Sequence, residues 1–301
     1  MIELKNVTLN FGESERNALD GISISVPEGS AYGLLGSNGA GKSTILRLMT
    51  GIYKPTSGAV EIDGEAVYDN SKVKERVFFV GDETVQFNKM TVNEMRTYYK
   101  TFYPTFDDAL FDKLIGIVGL PRTKRLMTFS KGMKRQAAVI CGIACKTQYL
   151  FLDEAFDGLD PTMRNIVKQM LIDAMLDSGL TVIFSSHNLS EMDEFCDRVG
   201  LIHAGKVVFD RERDSVKGDI VKLQTSFESP FSAEQLSGVK VLHTETSGSV
   251  TVIIARGDRA EIRAAVEKLS PKFCDEIPLN LEEIFIYEME AQGYDGSRLK
   301  D

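Results

Sequence analysis

Gly36-Ser37-Asn38-Gly39-Ala40-Gly41-Lys42-Ser43-Thr44 decides how this chain is read. The nonapeptide matches GxxxxGK[ST], follows the apolar run Tyr32–Leu35 and precedes the helical pattern Ile45, Leu46, Leu48, Met49. A strand, a glycine-rich loop and a helix in that order make an anion cradle. Gly36, Gly39 and Gly41 let backbone amides turn inward where a Cβ would obstruct them. The N-terminus of the following helix adds partial positive charge. In such a cradle Lys42 reaches the β- and γ-phosphates of a nucleoside triphosphate, and the Ser43 hydroxyl is placed to ligate Mg²⁺.

Outward from the loop, short β-type runs alternate with helical stretches to about residue 210, the pattern of an α/β layer architecture. The first eleven residues alternate like a strand. Further strand candidates are Ile22–Val26, Tyr32–Leu35, Val77–Val80, Tyr149–Leu152, Thr181–Phe184 and Val199–His203; Gly205 then sits in a turn before another apolar run, Val207–Phe209. A helical block over about 91–146 interrupts them and reads as an inserted subdomain. The buried-strand pattern Tyr149-Leu-Phe-Leu152 ends in Asp153-Glu154. An acid at that strand end suits Mg²⁺, directly or through water, and Glu154, pointing differently, suits polarisation of an attacking water. After residue 212 the character changes. Polar Arg211 to Asp219 reads as a linker to a smaller α/β unit. That unit has a strand at Val250–Ala255, a helix capped by Asp258 with Glu261 reaching back, and an apolar helical stretch near Leu281–Met289. Gly293 to Asp301 is expected to fray.

The 301 residues allow about two domains. With 43% hydrophobic and 26% charged residues there is ample material for a packed core. Thirty-five basic against 44 acidic side chains give a net charge of −9, spread without an acidic tail or basic arm. That balance argues against affinity built on phosphate neutralisation, so no nucleic-acid partner is expected. The longest apolar run, Ala137 to Cys145, is far short of the ~20 residues of a membrane helix. Cys141, Cys145, Cys196 and Cys274 form no CxxC pair and read as reduced structural thiols of a cytoplasmic protein.

Taken in order, the motifs resemble those of the ATP-binding subunit of an ABC transporter, over residues 1 to about 210. They are the P-loop at 36–44, the signature-like Phe129-Ser-Lys-Gly-Met-Lys-Arg-Gln136, Leu152-Asp-Glu154, the D-loop Gly158-Leu-Asp160-Pro161 and the switch histidine of Ser185-Ser-His187. The resemblance implies an α/β fold: a P-loop ABC ATPase core over 1–212 with an N-terminal β-subdomain and an inserted helical subdomain. A small C-terminal α/β extension occupies 213–301. It implies ATP and Mg²⁺ as ligands, with Glu154, His187 and Lys42 as catalytic residues. Phe11 is expected to stack on adenine, the alternative being a core phenylalanine. The family works as a head-to-tail dimer in which one chain's Ser130 and Gly132 complete the γ-phosphate site of the other, with Asp160 sensing the interface. Ser130 also sits where it caps the helix beginning near Lys131. One P-loop and one signature make half of each site, so a second copy or a sister subunit is implied. So is an integral membrane permease, holding the chain peripherally on the inner face of the cell membrane.

The sequence departs from the family in places. Counting back from Met90-Thr91-Val92 puts Asp82 in the slot of the usual Q-loop glutamine, where it remains a candidate Mg²⁺ ligand through water; Gln86 is the alternative if the register shifts by four. Lys131 and Met133 replace a glycine and the glutamine of the common signature. Lys131 either adds charge to the second phosphate site or is solvated. The aromatics Tyr98, Tyr99, Phe102, Tyr103, Phe106 and Phe111 read mainly as subdomain core, with a share available to line a permease groove. The ending Leu281-Glu-Glu-Ile-Phe-Ile-Tyr287 is similar to exporters of drugs, antibiotics and peptides, amphipathic toxic peptides among them. The rival readings are a soluble ABC ATPase of translation or repair and a non-hydrolysing regulatory binder.

Overall fold

The computed structural model describes residues 1–12, 17–82, 87–213, 220–229, 231–279, 283–284 and 286–287. The chain divides into two compact units, Met1–Asp210 and Arg211–Asp301.

The larger unit is organised by strands buried on both faces. Ala31–Leu35 (β3), Tyr149–Asp153 (β7) and Thr181–Ser186 (β8) are buried at every residue. Near-continuous apolar runs of this kind are what a parallel sheet covered on both sides requires. Their sheet has six strands in the order β10-β9-β3-β8-β7-β6, with β6 at Val77–Val80, β9 at Arg198–His203 and β10 at Lys206–Glu212. The pairs β6–β7, β7–β8, β8–β3 and β3–β9 are parallel. Leu35 stands opposite Ser186 and Asp153 opposite Ser185, so the carboxyl ends of the central strands share one edge. Open α/β sheets bind ligands at that edge.

A second, antiparallel sheet joins Ile2–Leu9 (β1), Leu19–Val26 (β2), Ser57–Ile62 (β4) and Glu65–Ala66 (β5) in the order β2-β1-β4-β5. Strand β4 has no place in the periodicity reading, because Ser57-Gly-Ala opens it with little apolar alternation. Helix α1 (Lys42–Met49) buries Ile45, Leu46, Leu48 and Met49 in the core that the two sheets share.

Beyond β6 the expected helical block is present. It comprises Val92–Phe102 (α3), Asp108–Val118 (α4) and Lys131–Ala144 (α5), after a short turn of helix at Ser71–Lys74 (α2). Thr91 and Glu94 form a capping box, and Asp107 and Gly119 bracket α4. The aromatics divide between roles. Phe106 and Phe111 are buried, whereas Tyr98 and Phe102 are 40% and 56% exposed. From Arg135 to Ala144 helix α5 is buried on all sides, which its small residues allow: Gly142 lies against Leu150 and Phe78. Cys274 is only partly buried, whereas Cys141, Cys145 and Cys196 are buried thiols, and burial pushes the Cys141 and Cys145 thiols far up. Such thiols are inert.

Gly200 on β9 is another close approach. A Cβ there would stand 2.3 Å from the Tyr32 hydroxyl, which is buried and bonded to Asp210 at 3.2 Å. Gly200→Ala is expected to destabilise the larger unit by about 1–3 kcal/mol through overpacking, read as a lower urea midpoint at unchanged slope.

Arg211 and Glu212, expected in the linker, complete β10. Residues 214–219 lie outside the described ones. The smaller unit is a four-stranded sheet, β12-β13-β11-β14, built from Ile220–Ser226 (β11), Lys240–Ser247 (β12), Val250–Arg256 (β13) and Phe273–Glu276 (β14). The helix Arg259–Glu267 packs Ile262 and Val266 on Val221, Leu223, Ile253 and Ala255. Asp258 caps it by accepting the amides of Ala260 and Glu261, in place of the reciprocal arm expected from Glu261. Of the stretch Leu281–Met289 only Glu283, Ile284, Ile286 and Tyr287 are described, and Gly293 to Asp301 lies outside. Among the described residues no helix is long and apolar enough to cross a membrane.

Candidate functional site

The loop after β3 is shaped by contacts a side chain would break. At Gly36 a Cβ would lie 2.3 Å from the Ile202 carbonyl, and Gly41 combines φ +110° with a 2.7 Å approach to Leu19. Ser37, Asn38 and Gly39 form the exposed crest, while Gly36, Ala40 and Lys42 are buried. Helix α1 begins after Gly41 with no side-chain cap and no acidic residue in its own first turn, so its amide end and dipole face the loop. The Lys42 ammonium donates to the carbonyls of Gly36 at 2.7 Å and Ser37 at 3.2 Å. Burial lowers its pKa, and the charges of Glu154, Asp153 and Asp157 partly offset that.

The end of β7 brings the acids to this loop. Asp153 is fully buried, and its Oδ1 accepts hydrogen bonds from Ser43 Oγ at 2.9 Å and Ser185 Oγ at 2.6 Å. Its Oδ2 is buried with no hydrogen-bond partner among the described residues. A buried carboxylate oxygen left bare beside a serine hydroxyl is a hard-oxygen donor set suited to Mg²⁺. Glu154 turns away from Asp153 because its backbone is left-handed, φ +49°, a conformation that costs a non-glycine residue about 1–3 kcal/mol. The Glu154 amide donates to Ser185 Oγ at 3.1 Å, which helps hold that turn. Its carboxylate Oε1 lies 3.7 Å from His187 Nδ1, and ligand atoms of Glu154, Asp157 and His187 all lie within 4.8 Å of one another. Loop, acids and histidine therefore meet at one sheet edge.

Other expected residues sit around that cluster. Phe11 is 56% exposed and meets Tyr53 edge-on at 5.4 Å, so it is no core residue. Ser130 accepts the Met133 amide at 3.2 Å and caps α5. Gly132 is required by a close approach, since a Cβ there would be 2.5 Å from the Gly158 carbonyl. Asp160 is exposed and caps Pro161–Ser178 (α6) by accepting the Met163 amide at 3.0 Å. Thr44 follows Ser43 in the first turn of α1. Asp82, half exposed, lies 3.7 Å from Arg47. Gln86 lies outside the described residues. Lys131 is solvated, its ammonium 4.0 Å from Asp157 of the same chain.

The sequence reading missed three residues here. Ser185 ties Asp153 to the Glu154 amide; the pair of hydroxyls before His187 was its only signal. Asp157 completes the acid cluster. Arg135, 2% exposed, donates to the Gly81 carbonyl; burial lowers its pKa, and Asp82, Asp157, Asp153 and Glu154 offset that effect. It passed as one basic residue among several in the signature.

Comparison with known proteins agrees with this geometry. The ABC transporter family profile matches residues 19–157. The ABC transporter ATP-binding protein YtrB of Bacillus subtilis is 28% identical over 95% of this chain and 97% of its own. The bacitracin transport ATP-binding protein BcrA of Bacillus licheniformis is 32% identical over 72% of this chain and 71% of its own. Among solved structures, the ATP-binding subunit of an ABC transporter superposes with a TM-score of 0.65 at 24% identity, covering 72% of this chain and 92% of that one. The ATP-binding cassette MJ0796, dimeric with ADP and Pi, gives 0.62 at 22%, covering 70% and 98%. These two structures speak for the fold. With its P-loop, strand-end acids and close relatives in sequence, the chain belongs to the ABC transporter ATP-binding family and is an ATP-binding ATPase subunit.

Proposed function

We propose that the chain is the motor of an exporter of drugs, antibiotics or amphipathic peptides, with residues 1–212 as cassette and 213–301 as accessory domain. The observation that carries the catalytic part is the meeting of Lys42, Asp153, Glu154 and His187 at one sheet edge. Phe11 stacks on the adenine, aided by its exposure beside Tyr53. Amides of the 36–44 loop and Lys42 hold the triphosphate. Ser43 and Asp153 would hold Mg²⁺, with Asp82 reaching it through water, and the metal would neutralise charge on the phosphates. Glu154 takes the proton of the attacking water, and His187 orients Glu154 and contacts the γ-phosphate. Ser185 acts as a positioning residue for both acids.

Ser130, Gly132 and Asp160 belong to the surface that meets a second cassette, from this chain or a sister subunit. The exposure of Asp160 supports this. ABC ATP-binding subunits dimerise and work with membrane permeases; here the exposed Tyr98 and Phe102 are offered to the permease. Export is favoured by relatives named for bacitracin transport, linearmycin resistance and lantibiotic transport. The test is affinity purification of the tagged full chain from detergent-solubilised cells. A polytopic membrane protein is expected to co-purify; recovery with ribosomes or DNA and no membrane protein would favour the soluble rival.

A further inference from the structure

At the end of β8 the serine next to His187 makes bonds that the catalytic cluster does not use. Ser186 Oγ accepts the Asn188 amide at 2.9 Å, pinning the backbone on both sides of the histidine. It donates to Glu191 Oε2 at 2.7 Å. Glu191 belongs to the first turn of Leu189–Phe195 (α7) and is only 3% exposed. A carboxylate so buried needs a cation, and Glu191 Oε1 has Arg164 at 3.2 Å. Arg164 stands on α6, where its amide bonds the carbonyl of the cap residue Asp160 at 2.9 Å. Arg164 Nε is itself buried with no hydrogen-bond partner among the described residues. Pairs of this kind are weak sources of stability and are often replaced by apolar residues without loss. What this one does is join the start of α6 to the switch segment through three polar contacts.

We infer that Arg164 and Glu191 are positioning residues that set His187 against Glu154 according to where the start of α6 lies. The inference rests on the roles proposed above for His187 and Asp160. His187 Nδ1 and Glu154 Oε1 are 3.7 Å apart, just beyond hydrogen-bond reach, so a movement of under an ångström makes or breaks that contact. A second cassette pressing on the D-loop at Asp160 moves the helix that carries Arg164. Through Glu191 and Ser186 that displacement reaches the histidine, so hydrolysis senses assembly.

The test compares ATP hydrolysis and ATP affinity of the full chain in Arg164→Met, Glu191→Gln, His187→Ala and the Arg164→Met/His187→Ala double variant. Arg164→Met and Glu191→Gln are expected to lower kcat by about 10- to 100-fold, with KM and ATP affinity within about twofold. Added to His187→Ala, Arg164→Met is expected to change kcat by less than about twofold, because its effect runs through the histidine. ATP affinity falling in step with kcat, or a full further loss in the His187→Ala background, would overturn the inference in favour of a merely structural pair. Impaired His187→Ala beside unimpaired Arg164→Met and Glu191→Gln removes the pair alone. Wild-type hydrolysis by His187→Ala removes the proposed role of the histidine and the pair with it. Should Arg164→Met fail to fold, Glu191→Gln, which keeps an acceptor for Ser186, runs the same cycle.

Discussion

Glu154→Gln is expected to lower steady-state ATP hydrolysis by about a hundredfold or more while ATP affinity is unchanged or tighter. The carboxamide has the shape of the carboxylate and cannot take a proton from water. The left-handed turn and the Ser185 hydroxyl on the amide hold residue 154 by its backbone, so the variant keeps its place. Binding depends on other groups. Removing one negative charge from the cluster around Lys42 lessens repulsion of the phosphates, which is why affinity does not fall. The measurement is phosphate release under saturating Mg-ATP beside equilibrium binding of a fluorescent ATP analogue. Hydrolysis within a few-fold of wild type would remove Glu154 from the mechanism.

Lys42→Ala is expected to act on binding. Truncating one side of a desolvated ion pair costs about 2–5 kcal/mol, or roughly 30-fold and upward in ATP affinity. The pH dependence has a definite sign. Burial lowers the Lys42 pKa below the ordinary lysine value of 10.5, so the free protein loses this charge earlier than an exposed lysine does. A bound polyphosphate favours the charged form and raises the pKa again. ATP affinity therefore declines on the alkaline side as pH rises through the lowered pKa, and binding there takes up a proton. Calorimetric titrations in two buffers of different ionisation enthalpy detect that uptake. In Lys42→Ala both the uptake and the alkaline decline vanish.

How legible these features were in the sequence follows from how local their causes are. The cradle, Asp153-Glu154 and the helical block could be read because glycine spacing, buried-strand runs and helical periodicity act within a few residues. The cap at Ser130 was equally local. Strands β4, β11 and β14 escaped because pairing with distant partners, such as β4 on β1, defines them more than their own alternation does, and β12, the hairpin partner of β13, because it carries almost no buried face. The same holds in the site. Ser185 matters because β7 and β8 bring it opposite Asp153, and Asp82 faces Arg47, contacts that sequence order does not state. Gly132 matched the family motif; its approach to the Gly158 carbonyl needed the fold.

On the proposed mechanism this chain carries half of each hydrolytic site. Light scattering of the Glu154→Gln protein with Mg-ATP, alone and mixed with candidate sister ATP-binding subunits, tests it most directly. The predicted result is ATP-dependent assembly to a dimer, twice the 33.4 kDa chain mass in the homodimeric case, reversed when ATP is removed. A chain that stays at the monomer mass with ATP bound, in every mixture, would contradict it.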